Sequence, residues 1–370
     1  MNVSVNLSGE QEKVARSVTV REIAQCAEVS IATVSRVLNN HDNINEHVKQ
    51  RVLQAAAQLG YFKSASKPAG RDITLRNVER QLKETGYLFC YSDLGAGDID
   101  PFWAPVLYGA EAEAHKAKMR LIYQNIARNE PAYSLQARLH EMRADGILLV
   151  GPSEEETIQA IQAMNIPLVL VDNYRSQGVQ KVDAVLADNY EGAKLAVKYL
   201  ISQGHRQIGY MGGHTLANPP NDIYTFGWRK EGYCAALREA AIPVNTDLIL
   251  ECNLRLSDEI YAGCKRLVGA REPVSAIFCV NDPVASWTIK GLRECSLRVP
   301  EDVSVVGFDN VDLAEHLTPP LTTIHVPKEA MGATAIKALE ARVADPQAVS
   351  VTYTLGVRLV IRDSVRPYQQ

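Results

Sequence analysis

Residues 18–62 constrain this chain most, because three start signals and three apolar faces are packed into so short a stretch. Thr19 and Glu22 are spaced as a capping box, hydroxyl and carboxylate each satisfying the other's end of a first turn. Ile23, Ala24 and Ala27 follow at helical spacing. Glu28-Val29-Ser30 predicts a tight turn, and Ser30 can cap a second helix running to Asn39. That helix puts Val34, Val37 and Leu38 on one face. Ile31, Ala32, Thr33, Ser35, Arg36 and Asn39 remain for the others. A third helix is predicted from Asn45 to Leu59, with Val48, Val52, Leu53 and Ala56 inward. Two short helices joined by about three residues form a helix-turn-helix, whose second helix fits the DNA major groove. Small residues near its start let the backbone approach the bases, and Arg36 and Asn39 can donate to phosphates or base edges. The helix pattern alone is equally satisfied by a three-helix bundle with no ligand.

The chain has 370 residues, enough for more than one domain. It is 46% hydrophobic and 22% charged, ordinary for a soluble globular protein. No apolar run approaches the roughly 20 residues of a membrane span. Residues 1–17 lack the charged start and apolar core of a secretory signal and are expected to be a disordered tail. Seven scattered cysteines show no CxxC pair and no metal spacing, which fits a reducing cytoplasm and gives no cofactor or metal site. A net charge of −4 is unusual for a DNA binder, so its distribution matters. Residues 18–62 hold four Arg/Lys against four Asp/Glu, and residues 63–83 hold six against two. A neutral head with a basic linker retains phosphate contacts.

The linker, residues 63–85, begins rich in Pro, Gly and Ser and ends as a candidate short helix. From Gly86 onward, strands alternate with amphipathic helices. Strands are expected at 87–91, 121–125, 146–150 and 167–171, then again at 207–211, 276–280 and 303–308. Helices fall between them at 105–119, 133–143, 192–203, 227–241 and 283–295. Apolar strands alternating with such helices imply parallel sheets covered on both faces. The expected fold class is α/β: a three-helix head plus a two-lobed, periplasmic-binding-protein-like unit over residues 86–370, with two doubly wound parallel sheets. The chain is expected to cross between lobes near Ala187, Asp309 and Thr323, with a ligand cleft between the lobes.

Open α/β sheets bind ligands at the carboxyl ends of their strands. That rule brings Asp93, Asp172, Asn173 and Asp282 to the cleft, with Arg229 at a helix start and Phe102 and Trp103 after the first strand's loop. Carboxylates and amides suit sugar hydroxyls, and aromatic faces suit the apolar side of a sugar ring. Each has a structural alternative: Asp172 and Asp282 can cap helices, and Phe102 can be core. Nothing orders a catalytic pair; G-x-S-x-G, H-E-x-x-H and P-loop motifs are absent. No catalytic residue is expected.

The run V-T-V-R-E-I-A-x-x-A-x-V-S-x-x-T-V-S-R-V-L-N-N, then R-V-L-x-A-A-x-x-L-G-Y, resembles the DNA-binding head of the lactose-repressor/galactose-repressor (LacI/GalR) family. So do D-P-F-W at 100–103, D-G-I-L at 145–148, I-P-L-V-L-V-D at 166–172, D-N-Y-E-G-A at 188–193 and G-H-R-Q-I-G at 204–209. N-D at 281–282, V-G-F-D at 306–309 and P-P-L-T-T at 319–323 continue the series. The resemblance spans about residues 18–365. Glu28 departs from the family's usual Gly, and His214–Thr225 from its common length; Trp287 stands where a small residue is more usual and is expected to crowd the cleft. The resemblance implies DNA contacts from Thr19, Ser30, Ile31, Ala32, Thr33, Ser35, Arg36 and Asn39. It also implies a hinge helix in the linker with Leu82 as a minor-groove wedge, although Phe62 and Glu79 depart from that motif and an ordinary amphipathic linker fits the residues equally. Arg229 and Asp282 match effector-binding positions. The implied protein is a cytoplasmic homodimer binding a pseudo-palindromic double-stranded operator, a repressor controlled by a small carbohydrate. A regulator answering to a purine or nucleoside, or a transport-type solute-binding protein, are the alternatives.

Overall fold

The computed structural model describes residues 19–38, 45–59, 84–89, 101–126, 130–173, 182–214, 224–254 and 256–368. The expected tail, the linker up to residue 83, Asn39, Leu82 and Asp93 lie outside them. The chain forms two compact units, one holding residues 1–77 with 131–142, the other 78–130 with 143–370.

In the first unit, α1 (Val20–Cys26), α2 (Ile31–Leu38) and α3 (Glu46–Gln58) make the head. The capping box at Thr19 forms: its backbone N–H donates to Glu22 Oε2 at 2.7 Å, and Glu22 N–H donates to Thr19 Oγ1 at 3.4 Å. Ile23, Ala24, Ala27, Val34, Val37, Val52, Ala55 and Ala56 close a small core of their own. Most of the predicted inward residues are buried, while Leu38, Val48 and Leu53 are half-buried and Ala55, not predicted, joins the core.

The second unit holds two sheets. The first is built from β1 (Glu84–Phe89), α4 (Trp103–Lys116), β2 (Arg120–Asn125), α5 (Ala132–Met142), β3 (Gly146–Val150), α6 (Glu155–Gln162), β4 (Leu168–Val171) and β5 (Asp183–Ala187), of which α5 groups with the other unit. Then come α7 (Asn189–Ser202), β6 (Ile208–His214), α8 (Tyr224–Glu239), β7 (Ile249–Asn253), α9 (Ser257–Val268), β8 (Ala276–Cys279), α10 (Asp282–Glu294), β9 (Ser304–Asp309), α11 (Leu313–His316) and β10 (Thr322–His325). The chain ends with α12 (Lys328–Ala344), β11 (Thr352–Leu355) and β12 (Arg358–Val360).

The sheet orders are β11-β5-β4-β3-β1-β2 and β12-β10-β9-β8-β6-β7. Setting aside the late strands, each lobe orders its own strands 2-1-3-4-5, the doubly wound pattern whose switch point lies between the first and third. β3, β4 and β5 are buried along their whole length, which is why β3 and β4 read as unbroken apolar runs rather than alternating ones; β5 opens on Asp183 and was not among the expected strands. Every pairing is parallel except β10 with β12, an antiparallel edge that the reading of two wholly parallel sheets did not contain.

The crossings correct the sequence reading at one place and add another. The chain leaves the first lobe after β5, at Ala187–Asn189, as expected. It returns between β10 and α12, because α12 packs on β3, β4 and β5, so the crossing expected near Thr323 falls just after it. No crossing occurs at Asp309, since β9 and β10 are neighbours in one sheet. The third crossing is at Gly356-Val357, between β11 of the first lobe and β12 of the second. Asp188 N–H donates to Leu355 O at 3.0 Å, tying the first crossing to the third.

Candidate functional site

On the head, α2 turns Val34 and Val37 inward and leaves Ile31, Ala32, Ser35 and Arg36 exposed, with Thr33 half-buried. This is the face expected to meet DNA. Ser30 Oγ accepts from Thr33 N–H at 3.1 Å and lies 2.8 Å from Thr33 Oγ1, so both side chains help start the helix. Ile31 is 47% exposed, a large apolar group of the kind that meets a thymine methyl.

The turn before α2 shows what Glu28 costs. Val29 N–H reaches back to Ala24 O (3.0 Å) and Glu28 N–H to Gln25 O (3.3 Å). This is the Schellman pattern, whose first residue beyond the helix is normally glycine because it must be left-handed. Glu28 occupies it at φ 51°, a conformation costing an L-residue about 1–2 kcal/mol. Arg51 of α3 donates from Nη2 to Ala27 O at 2.6 Å and to Glu28 O at 3.4 Å. The turn is thus both strained and tightened from outside.

In the second unit, a cleft of about 550 Å³ opens between the two sheets. Pro101, Phe102, Trp103, Pro152 and Asp172 line it from the first lobe. Thr225, Phe226, Arg229, Asn281, Pro283, Asp309 and Val311 line it from the second. Many follow the carboxyl ends of strands, as the doubly wound order requires. Phe102 and Trp103 meet edge to face at 4.6 Å, and Gly151, with φ 83°, sits where a Cβ would lie 3.3 Å from the Trp103 ring.

Arg229 organises the far wall. It is 2% exposed, and its guanidinium carbon lies 3.8 Å over the Phe308 ring. Nε donates to Asn189 Oδ1 (2.8 Å), Nη1 to Val280 O (2.7 Å) and Nη2 to Asp309 Oδ1 (2.9 Å). Asn189 stands on the first crossing, where its Nδ2 donates to Ala187 O at 3.0 Å. Asp309 has φ 102°, a strained conformation for any side-chain-bearing residue, and Asn310 follows at φ 50°. Lys328, at the second crossing, holds this pair: its buried Nζ donates to Asp309 O (2.6 Å) and Asn310 O (3.0 Å). Burial pulls the Lys328 ammonium below its usual range, against the neighbouring carboxylates.

Asp172 follows β4 at φ 53° and is 8% exposed. Its Oδ1 has no hydrogen-bond partner among the described residues. Burial pushes its carboxyl up to about 7, with Arg229 pulling down and the Asp309 charge adding to the rise. Asn173 is also buried with an unpartnered Nδ2, but it does not line the cleft.

Asp282 is placed differently from expectation. It is fully buried and absent from the cleft wall. Thr323 Oγ1 donates to its Oδ1 (2.5 Å) and Val311 N–H to its Oδ2 (2.8 Å). Gly307 makes room for it, since a Cβ there would lie 2.4 Å from Asp282 Oδ1. Nor does it cap α10; Asn281 does, accepting from Val284 N–H at 2.9 Å. Asp282 braces Val311, which lines the cleft, from behind. Burial, helped by Asp309, raises its carboxyl to about 8.

Trp287 does not crowd the cleft. It is 40% exposed and packs edge-on to Tyr261, 6.1 Å away. The His205 ring is buried, with Nδ1 2.9 Å from Ser275 Oγ and Nε2 3.1 Å from Arg366 O. Sequence reasoning missed Asp309 and Asn189. Both stand in quoted motifs, and the strand-end rule that flagged Asp172 applies equally to Asp309. Among the described residues, no group of three or more His, Cys, Asp or Glu is placed to hold a metal, and no helix is long and apolar enough to cross a membrane.

A helix-turn-helix head and a two-lobed ligand cleft on one chain define a ligand-responsive DNA-binding regulator. Residues 19–64 match the family described as bacterial regulatory proteins, lacI family, and residues 197–365 match the periplasmic binding protein-like domain. The chain is 32% identical over 353 residues to the HTH-type transcriptional repressor PurR of Photobacterium profundum, covering 94% of this chain and 98% of that one. It is 29% identical over 349 residues to the ribose operon repressor of Haemophilus influenzae, with the same coverage. Among solved structures it resembles the regulator CelR in complex with cellobiose (26% identity, TM-score 0.68, 94% of this chain and 99% of that chain). It also resembles a LacI family regulator from Enterococcus faecium with bound ribose (28%, TM-score 0.64, 78% and 100%). The chain belongs to the LacI family and is a ligand-responsive transcriptional repressor.

Proposed function

We propose that the repressor answers to a small neutral carbohydrate held in the cleft, and that it binds a pseudo-palindromic operator as a homodimer. One observation carries the choice of ligand: the unpartnered oxygen of buried Asp172 on the cleft wall. A buried acceptor without a donor is costly, and hydroxyl groups are donors. Among the described lining residues Arg229 is the one cation, and its charge already faces Asp309 at 2.9 Å. A phosphate or carboxylate ligand would meet two carboxyl groups and no free positive charge. Phe102, Trp103 and Phe226 supply apolar surface for a sugar ring. The relatives with bound cellobiose and ribose support this class.

Control follows from where the wall is anchored. Arg229 holds Asn189 of the first crossing, and Asp309 is held by Lys328 of the second. A ligand that engages Arg229 or Asp309 therefore acts on two of the three strands of chain joining the lobes. The shift it causes is bounded by its differential affinity for the lobe arrangements. The similarity to PurR favours a second reading, a nucleobase whose ring N–H donates to Asp172. Calorimetric titration with ribose, glucose and cellobiose, against hypoxanthine and guanine, separates the two. Binding by a sugar supports the proposal; binding by a purine alone replaces it.

A further inference from the structure

We infer that Arg51 is a positioning residue for DNA recognition, acting through the left-handed turn at Glu28 that aims the second helix. The turn sets the angle between α1 and α2, and Ile31, the first residue of α2, lies only three residues beyond Glu28. Its backbone pattern is one that glycine ordinarily completes, yet Glu28 stands there at φ 51°. An L-residue in that position leans toward right-handed conformations that would open the turn and swing α2. Something must hold it closed. The Arg51 bond to Ala27 O, at 2.6 Å, is the contact placed to do so, because it fixes the peptide immediately before the strained residue. Its ion pair with the Glu28 carboxylate, at 3.6 Å between side chains 46% and 85% exposed, adds little in water. What matters is the carbonyl bond.

The dependence runs one way. With glycine at 28 the left-handed turn is unstrained and needs no clamp; with glutamate it does. Arg51 and Glu28 are thus a matched pair, and loss of the arginine should be repaired by a change at a position that is not a cation. A direct phosphate contact by Arg51 would behave otherwise: no change at residue 28 would repair its loss, and the salt dependence of binding would fall by about one counterion.

The test uses the full chain and a duplex selected by the wild-type protein from a random pool, read by fluorescence anisotropy at several salt concentrations. Arg51→Met keeps the aliphatic stem that packs on the head and removes the donor. It should weaken operator binding about tenfold or more, with the salt slope unchanged. Glu28→Gly alone should bind at least as well as wild type, since it removes backbone strain. The double variant Glu28→Gly/Arg51→Met should recover at least half of the lost affinity on a logarithmic scale. Circular dichroism checks that each head is folded; where Arg51→Met melts it, recovery of the folded head by Glu28→Gly is read in place of affinity, and a head that stays unfolded in the double variant counts against the inference. Wild-type binding by the Arg51 variant, or an equal loss in both residue-28 backgrounds, would overturn the inference.

Discussion

The head and the cleft encode function in opposite ways. The head's expected DNA face, Ile31, Ala32, Ser35 and Arg36, lies within one short helix, exposed and held out by a core of eight small or branched side chains. The cleft's working groups are nearly all buried and come from segments far apart in the chain; Arg229, Asp309 and Asn189 are already bonded to one another, while Asp172 Oδ1 has no donor among the described residues. Arg229 alone joins Asn189, Val280 and Asp309, partners 40, 51 and 80 residues away. An exposed recognition face can lose a side chain and keep its fold. The buried wall around Arg229 cannot, because each donor removed strands an acceptor.

The largest effect that would sharpen this contrast is expected from Arg229→Met. It keeps volume but strands the Asp309 carboxylate and Asn189 Oδ1. Breaking a buried pair from one side costs about 3–5 kcal/mol, and ligand binding should go with it. Denaturant unfolding followed in the second unit measures the loss. A variant as stable as wild type would mean the wall is not the keystone its bonding suggests.

A smaller effect is expected at Asp282. Asp282→Ala leaves Val311 N–H and Thr323 Oγ1 without their acceptor, for a stability loss of about 1–3 kcal/mol. Since Asp282 stands behind the wall, ligand affinity in the folded fraction should change little. Calorimetry on the folded variant decides: abolished binding in a stable protein would put Asp282 back in contact with ligand.

The head supplies the mildest structural change. Arg36→Ala should leave unfolding curves untouched and weaken operator binding by about 1–3 kcal/mol if the side chain reads a base bidentately. Gel-shift titration against wild-type and base-substituted operators checks both parts. A loss of fold, or no loss of binding, would erase the distinction between the two regions.

The same contrast explains what the sequence could tell. Capping signals, helical spacing and the turn at residues 28–30 act over three to five residues, so the head was legible almost residue by residue; the oddity of Glu28 came from the family resemblance alone. Strands such as β3 and β4 were legible because burial on both faces leaves unbroken apolar runs, whereas β5, β7 and β10, interrupted by Asp183, Glu251 and Thr322-Thr323, were not read; the strand-end rule found Asp172 and Arg229's neighbourhood. It could not rank Asp282 against Asp309. Which carboxylate turns to the cleft depends on the space at Gly307 and on Thr323, 41 residues from Asp282. No local spacing encodes that. The third crossing at Gly356-Val357 was hidden for a related reason: β11 and β12 are four and three residues long and only part-buried, so neither reads as a buried apolar run. Trp287 was misjudged because the resemblance marks an unusual residue at its position but not which neighbour the side chain meets.

The ligand class rests on Asp172, and its titration gives the most direct test. Its carboxyl is raised from the ordinary value of 3.8 to about 7 by burial. Below pH 3.8 folded and unfolded chains are both protonated there, and no penalty arises. As pH climbs toward 7 the unfolded chain ionises first, and the folded apo protein loses stability until the folded group ionises too. A hydroxyl ligand donating to Asp172 stabilises the carboxylate and pulls its pKa back down. Binding a neutral sugar should therefore release a proton near pH 7 and tighten from pH 6 to pH 8. Asp172→Asn, more stable than wild type at pH 8 in the apo form, should bind weakly and release none. Titrating the sugar that binds in two buffers of different ionisation enthalpy, for both proteins, counts the protons. Release by wild type and none by Asp172→Asn is the expected result; pH-independent binding with no proton released, or a phosphorylated sugar binding as tightly as its neutral parent, would contradict it.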